Sequence, residues 1–320
     1  MSSPTPAANE SVQRLSFPAF PFVDTPGRTD IVLRTSDGVD FNIQRAILSL
    51  VSPVFETMFT LPQAEDPSAI SPVIDVQEAS PVLDRALRFF YPGTQLTVGS
   101  LDELQDVIQV LISKYDMQCL APSVQRHLER YLASQPLAVY VLAYMNGWED
   151  LARAAAAETL KLPLRSSDDD TPRVLDLIPA GAYHKLLRYH HRCGAAAQKT
   201  TRDLSWIPWP DAPVEYRWFT CSSSSCTQQS DRTQQCVSIA GRGYTVTTWF
   251  MEYFVGMGDI LAGTPFTDVG DAAHPLFIKA MRRANQCSHC RDCVSMHLHQ
   301  FIGLWKARIR TVIQDVEWKF

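Results

Sequence analysis

No apolar run in these 320 residues approaches the ~20 that a membrane-spanning helix needs; the longest, Pro136 to Met145, falls well short. The first stretch, Met1 to Arg14, has neither the charged start nor the apolar centre of a secretory signal, and carries Glu10 before any apolar run. A soluble protein of cytosol or nucleus is therefore expected, with no membrane partner. Catalytic motifs are also missing: the chain has no G-x-S-x-G, Walker A, G-x-G-x-x-G or H-E-x-x-H string. No nucleophile, base and orienter stand in motif form, so a non-enzymatic protein is expected. There is no excess of positive charge either, since 29 Lys and Arg against 34 Asp and Glu give a net charge of −5. Polyanion binding is thus not the default, and nucleic acid is disfavoured as a partner. The charge is uneven, with nine acids and three bases in residues 60–120 and four acids and eight bases in residues 270–320; two solvated faces of opposite sign account for it.

What is present begins at Asp30. Ile31-Val32-Leu33 reads as a short strand, Asp37-Gly38 as a turn, and Val39, Phe41 and Ile43 as a half-buried returning strand, which together predict a β-hairpin. Ala46, Ile47, Leu50 and Val51 then fall at helical spacing. Ser52-Pro53 supplies an N-cap and a proline at the first helical position, opening a second helix through Phe55, Met58 and Phe59. Ser80-Pro81 is read as another cap, followed by a stripe of Leu83, Ala86, Leu87 and Phe90. Ser100 with Glu103 forms a capping box before Leu104, Val107, Ile108 and Leu111. Length alone favours two units, and the helical pattern continues from Ala121 to Leu162. Residues 166–172, with Asp168-Asp169-Asp170, have nothing to bury and read as a boundary. Beyond it, helical patterns at 175–197, 247–261, 275–285 and 296–315 flank an irregular stretch with Trp206, Trp209 and Trp218.

The order hairpin, helix, Ser-Pro, helix resembles the BTB/POZ family, and more narrowly the BTB proteins abundant in basidiomycete fungi. The strings that carry the resemblance are Leu33 to Gly38, Phe41 to Ser49, Ser52 to Phe55, Met58 to Gln63, Pro72 to Val76, Phe89 to Pro92 and Lys114 to Met117. It covers residues 28 to about 165 well and is looser beyond. It implies an α+β chain: a proline-broken flexible lead (1–27), a BTB/POZ domain (28–120) with a small sheet, hairpin and packed helices, a helical extension (121–165), and a mostly helical Cys/His/Trp-rich C-terminal domain (166–320). It also implies a protein-interaction module. Many members dock a cullin scaffold and bring cargo to a ubiquitin ligase, which directs attention to Phe55, Met58, Phe59, Gln63, Glu65 and Tyr91 as partner-binding residues. Members that do so often carry a hydrophobic-x-Glu string after the Met-Phe pair; here it reads Gln63-Ala64-Glu65, so the apolar anchor is replaced. Self-association is the other family habit, and a transcriptional regulator a third alternative. In the lead, Phe17, Phe20, Phe22 and Val23 are expected to pack on the chain's own BTB core.

Seven of the eight cysteines lie after residue 190. Cys287 and Cys290 have the two-residue spacing that lets both thiolates of a knuckle face one tetrahedral metal. Cys221 and Cys226, four residues apart in the intervening sense, supply a second pair for a structural Zn²⁺ site. Cys193 is a rival ligand, and the fungal resemblance, with its HRCG-like and CSxC-like strings, supports a set of Cys193, Cys221, Cys287 and Cys290. Spacing does not separate the two sets, nor either from buried, uncoordinated thiols. Cys293, His289, His297 and His299 are weaker alternates.

Overall fold

The computed structural model describes residues 21–23, 30–61, 71–94, 97–164, 173–207, 216–223, 226, 236–239 and 242–318. Contacts divide the chain into two units, Met1–Tyr131 and Leu132–Phe320. The division falls inside the segment expected as a single helical extension, so its last two helices belong with the second unit.

In the first unit β1 (Ile31–Arg34) pairs antiparallel with β2 (Asp40–Ile43) in the register Ile31 to Ile43 and Leu33 to Phe41. All four of those side chains are buried, because a period of two puts them on one face. Gly38 adopts a positive φ of 77° at the turn, a conformation that glycine enters without steric cost. The third strand, β3 (Val73–Asp75), runs parallel to β1. A parallel neighbour requires a crossover, and helices α1 (Arg45–Val51) and α2 (Pro53–Thr60) lie within it. The unit is completed by α3 (Ser80–Arg88), α4 (Leu101–Ile108) with a π-helical turn over Gln109–Lys114, and α5 (Ala121–Glu129).

Two of the three expected helix caps form. Ser52 Oγ accepts from the Phe55 N–H at 3.1 Å, and Ser100 Oγ accepts from the Glu103 N–H at 3.2 Å. Ser80 does not cap α3. Its hydroxyl donates to Asp37 Oδ2 at 2.7 Å and its N–H to Asp37 Oδ1 at 3.0 Å, tying the hairpin turn to α3. Hydrogen bonds from the Thr35 and Ser80 hydroxyls hold the Asp37 carboxyl down at about 2. Phe22 is fully buried against Phe41 and Tyr91. Phe17 and Phe20 lie outside the described residues.

The second unit contains α6 (Pro136–Met145), α7 (Glu149–Thr159), a 3₁₀ turn at Arg173–Leu177, α8 (Ala180–Arg202), the single turn α9 (Arg217–Thr220), and a hairpin of β4 (Cys236–Ile239) and β5 (Arg242–Thr245). It ends with α10 (Thr248–Gly263), α11 (Pro275–Asn285) and α12 (Val294–Gln314). The β4–β5 hairpin was not among the expected elements. α8 and α10 approach so closely that a Cβ on Gly194 would collide with the Ala262 carbonyl. No helix among the described residues is long and apolar enough to cross a membrane.

Ser52 joins three segments of the first unit. Besides capping α2, its hydroxyl donates to the Tyr115 carbonyl at 2.6 Å, and the residue is fully buried. Ser52→Ala leaves both partners without it, and is expected to destabilise the fold by about 1–3 kcal/mol. Urea unfolding of the full chain followed by circular dichroism checks this; an unchanged midpoint would show that neither bond matters.

Candidate functional site

The second unit gathers Cys221, Cys226, Cys287 and Cys290. Their sulfur atoms all lie within 4.8 Å of one another, and all four residues are buried. Local backbone geometry delivers each pair. Cys221 ends α9, with its N–H on the Arg217 carbonyl at 2.8 Å, and the Cys226 N–H meets the Ser223 carbonyl at 2.9 Å. Between α11 and α12, Cys290 and Arg291 both donate backbone N–H groups to the Cys287 carbonyl. That turn brings the two thiols of the C-x2-C pair to the same side.

The sulfurs are not disulfide-bonded. Cys221 Sγ to Cys287 Sγ is 3.8 Å, as is Cys226 Sγ to Cys290 Sγ. Four sulfurs bound tetrahedrally at ~2.3 Å from one ion would stand ~3.8 Å apart, so the set has the dimensions of a metal centre. Its electrostatics point the same way. Burial resists ionisation of Cys287, but hydrogen bonds from the Cys226 thiol, the His289 N–H, Ser223 and the Cys290 N–H outweigh it and bring that thiol down to about 5. Burial, together with the neighbouring sulfurs, pushes Cys226 up to about 12 and Cys290 higher still. One thiolate is accommodated and further ones repel it; a divalent cation at the centre relieves that repulsion. The cluster can therefore hold a metal.

Cys193 is not part of it. It is buried on α8 beside Tyr189, and burial raises its thiol to about 11. Cys293 donates to the His289 and Cys290 carbonyls. His297 Nδ1 accepts from the Arg217 N–H at 3.3 Å, with its ring against Tyr216 and Trp218. His289 and His299 are exposed. Cys236 contributes backbone to β4, where its partner is Thr245.

An aromatic stack backs the sulfur cluster. Trp218, three residues before Cys221, lies flat between Tyr216 at 4.9 Å and Phe250 at 4.6 Å, and Phe301 meets it edge-on at 5.5 Å. Its buried ring holds α9 against α10 and α12. Sequence inspection found this tryptophan without finding its partners, because Phe250 and Phe301 are distant along the chain.

The expected partner-binding residues separate into groups. Phe55 is 1 % exposed and stacks on Tyr115 with ring centroids 4.4 Å apart; it is a core residue and is removed from the candidate interface. Met58, Phe59 and Tyr91 are half-buried. Arg45 lies over the Phe59 ring, and the Tyr91 hydroxyl accepts from the Gln44 N–H. Gln63 and Glu65 lie outside the described residues. The side chain that sequence reasoning missed is Leu50, 84 % exposed on α1; the helical stripe had placed it inward. A depression of about 410 Å³ is lined by two ion pairs, Lys161 with Glu158 and Lys306 with Asp268, and by Arg310.

Among known families, the BTB/POZ domain model matches residues 24–132. A BTB/POZ domain is thus found in the first unit, ending short of residue 165, to which the motif resemblance had been extended. A search of curated proteins finds no match to the chain.

Trp218→Ala removes the centre of the stack. It is expected to destabilise the second unit by about 3–5 kcal/mol, read as a lower midpoint in denaturant. A midpoint unchanged from the parent would place the stability of this unit elsewhere.

Proposed function

We propose that the chain is a non-enzymatic protein-interaction adaptor: the BTB/POZ unit docks a scaffold of the cullin type, and the second unit, braced by a structural Zn²⁺ on Cys221, Cys226, Cys287 and Cys290, faces cargo. The observation that carries the adaptor reading is the BTB/POZ match over residues 24–132, since that domain is a protein-protein interaction module. Met58 and Phe59 on α2, with Tyr91 and the Gln63-Ala64-Glu65 string, are the residues assigned to docking. The fungal subtype rests on the motif strings alone. A stoichiometric cullin is expected to co-purify with the tagged full chain from its native host in mild salt. A well-recovered protein without it would sink the cullin-adaptor reading. Leu50, apolar and 84 % exposed, favours self-association as a second reading, in which mass rises with concentration and no cullin is needed.

The zinc assignment is supported by the sulfur spacing and by the charge relief described above. In this role the ion carries no reaction; it would pin the segment after α9 to the turn between α11 and α12. Elemental analysis of the reduced full chain is expected to give about one equivalent of zinc. Cys287→Ser should lose most of it and Cys193→Ser should retain it. Less than about half an equivalent in the parent protein would exclude the site, and loss through Cys193→Ser would restore the rival ligand set.

A further inference from the structure

The two long helices α8 and α12 contain eight Lys or Arg residues, Lys185, Arg188, Arg192, Lys199, Arg202, Lys306, Arg308 and Arg310, and no Asp or Glu. This concentration sits in a protein of net charge −5. The 29 bases and 34 acids divide as 9 and 16 in Met1–Tyr131, and as 20 and 18 in Leu132–Phe320, leaving the units at −7 and +2.

Position on the helix makes the α8 charges a row. Lys185, Arg188, Arg192, Lys199 and Arg202 follow one another by three, four, seven and three residues, with Ala195 at the one unoccupied step. At 100° per residue that series stays on one face about 100° wide and ~25 Å long. All five are exposed, while Leu186, Cys193, Ala197 and Thr200 point inward. Arg188, Lys199 and Arg202 form no ion pair among the described residues. Like charges at this spacing destabilise an isolated helix, so the row is held against its own repulsion by packing on the opposite face.

α12 runs antiparallel beside it, as two contacts show: Trp305 Nε1 donates to Thr200 Oγ1 at 2.8 Å, and Arg192 donates to the Glu317 carbonyl at 3.3 Å. Arg308 thereby joins the row. With Lys199, Asp203 and Trp206 it lines a depression of about 140 Å³, and its Nε is buried without an acceptor among the described residues. Two acids border the row: Asp203, at the end of α8, within this depression, and Glu317, which lines a second depression with Lys185, Arg188 and Arg192.

From these observations we propose that the α8 row, with Arg308, is a docking surface for an acidic α-helix of a partner protein, one carrying Glu or Asp at a seven-residue stride. The stride of the row matches the side-by-side pairing of two helices, where charges three and four apart share a face. Ala195 lets the partner backbone come close midway. Nucleic acid fits less well: the second unit has a net charge of only +2, and the exposed rings among the α8 cations are the small imidazoles of His184 and His191, with no exposed Tyr, Trp or Phe on that helix. The inference rests on the adaptor reading for the role of this helix as cargo. The binding itself needs no scaffold, so either reading can fail alone.

The test is fluorescence anisotropy of the full chain with a labelled helical peptide about three heptads long, Glu at two positions of each. Controls are a peptide of the same composition in scrambled order and a DNA duplex of equal charge. The patterned peptide is expected to bind at least about fivefold more tightly than the scrambled one, and more weakly as salt rises. Arg188→Glu/Arg192→Glu and Lys199→Glu/Arg202→Glu should each weaken it at least about fivefold. The neutral pair Arg188→Gln/Arg192→Gln should weaken it less, and Arg282→Glu on α11 should leave it unchanged. Because every altered residue is exposed, circular dichroism should match the parent; if a reversal pair unfolds, the neutral pair decides. Equal binding of patterned and scrambled peptides, or indifference to the substitutions, overturns the proposal. Tighter binding of the duplex overturns it in favour of nucleic acid. Salt-sensitive self-association abolished by the same reversals overturns it in favour of a second copy of the chain.

Discussion

Four buried sulfurs within 4.8 Å of one another are the constraint on which the second unit turns. They join two segments more than sixty residues apart, neither of which is held by a long helix at that point. Cys221 and Cys226 flank a run of serines that offers no apolar side chain to bury, so hydrophobic packing cannot anchor it. A metal bound there would do what burial cannot, since each thiolate–metal bond fixes a side chain without demanding an apolar neighbourhood around the backbone. The Trp218 stack begins three residues earlier, where burial resumes. The two devices are adjacent because α9 is a single turn, too short to hold its own geometry.

The first unit solves a similar problem with hydrogen bonds. Asp37 in the hairpin turn receives Ser80 from α3, and Ser52 before α2 reaches the carbonyl of Tyr115. Tyr115 in turn stacks on Phe55 and donates to Glu78, which also pairs with Lys114. The residues most visible as motif, Ser52, Phe55 and Tyr115, are therefore interior. A motif that identifies a domain records what keeps it folded; its binding surface is free to vary.

The hairpin and the Ser-Pro cap were legible in the sequence because turn chemistry and strand alternation are local. So was the C-x2-C turn. Whether Cys226 or Cys193 completed the set was not, since spacing along the chain says nothing of which distant turn arrives at the same point. Cys193 is instead directed inward by the 3.6-residue period of α8. Ser80 misled for a related reason: its position before Pro81 imitates a cap, but α3 begins one residue earlier than expected, with Ala79 at the N-cap and Ser80 already helical, and its hydroxyl turns to Asp37. The β4–β5 hairpin escaped notice because its strands are only four residues each, while Leu50 belonged to an apolar series on α1 that is not the inward face, since the buried residue of that helix is Leu48.

In a catalytic cleft, shifted titratable groups converge on one reacting atom. Here the shifted thiols Cys226, Cys287 and Cys290 converge on one buried point, and other shifted groups stand apart, each with its own structural cause. Burial raises Tyr115, Tyr140, Tyr189 and Tyr253 at separate places in two cores; hydroxyl donors lower Asp37 in a turn; Lys306 lowers Asp268 in an ion pair. Basic side chains also converge, along α8, with Asp203 and Glu317 at the margins of the row. A row of exposed cations ~25 Å long acts weakly at any one point, since solvent screens each charge within about a Debye length. It can select and align an extended partner, because many weak contacts in fixed register add where a single one is negligible.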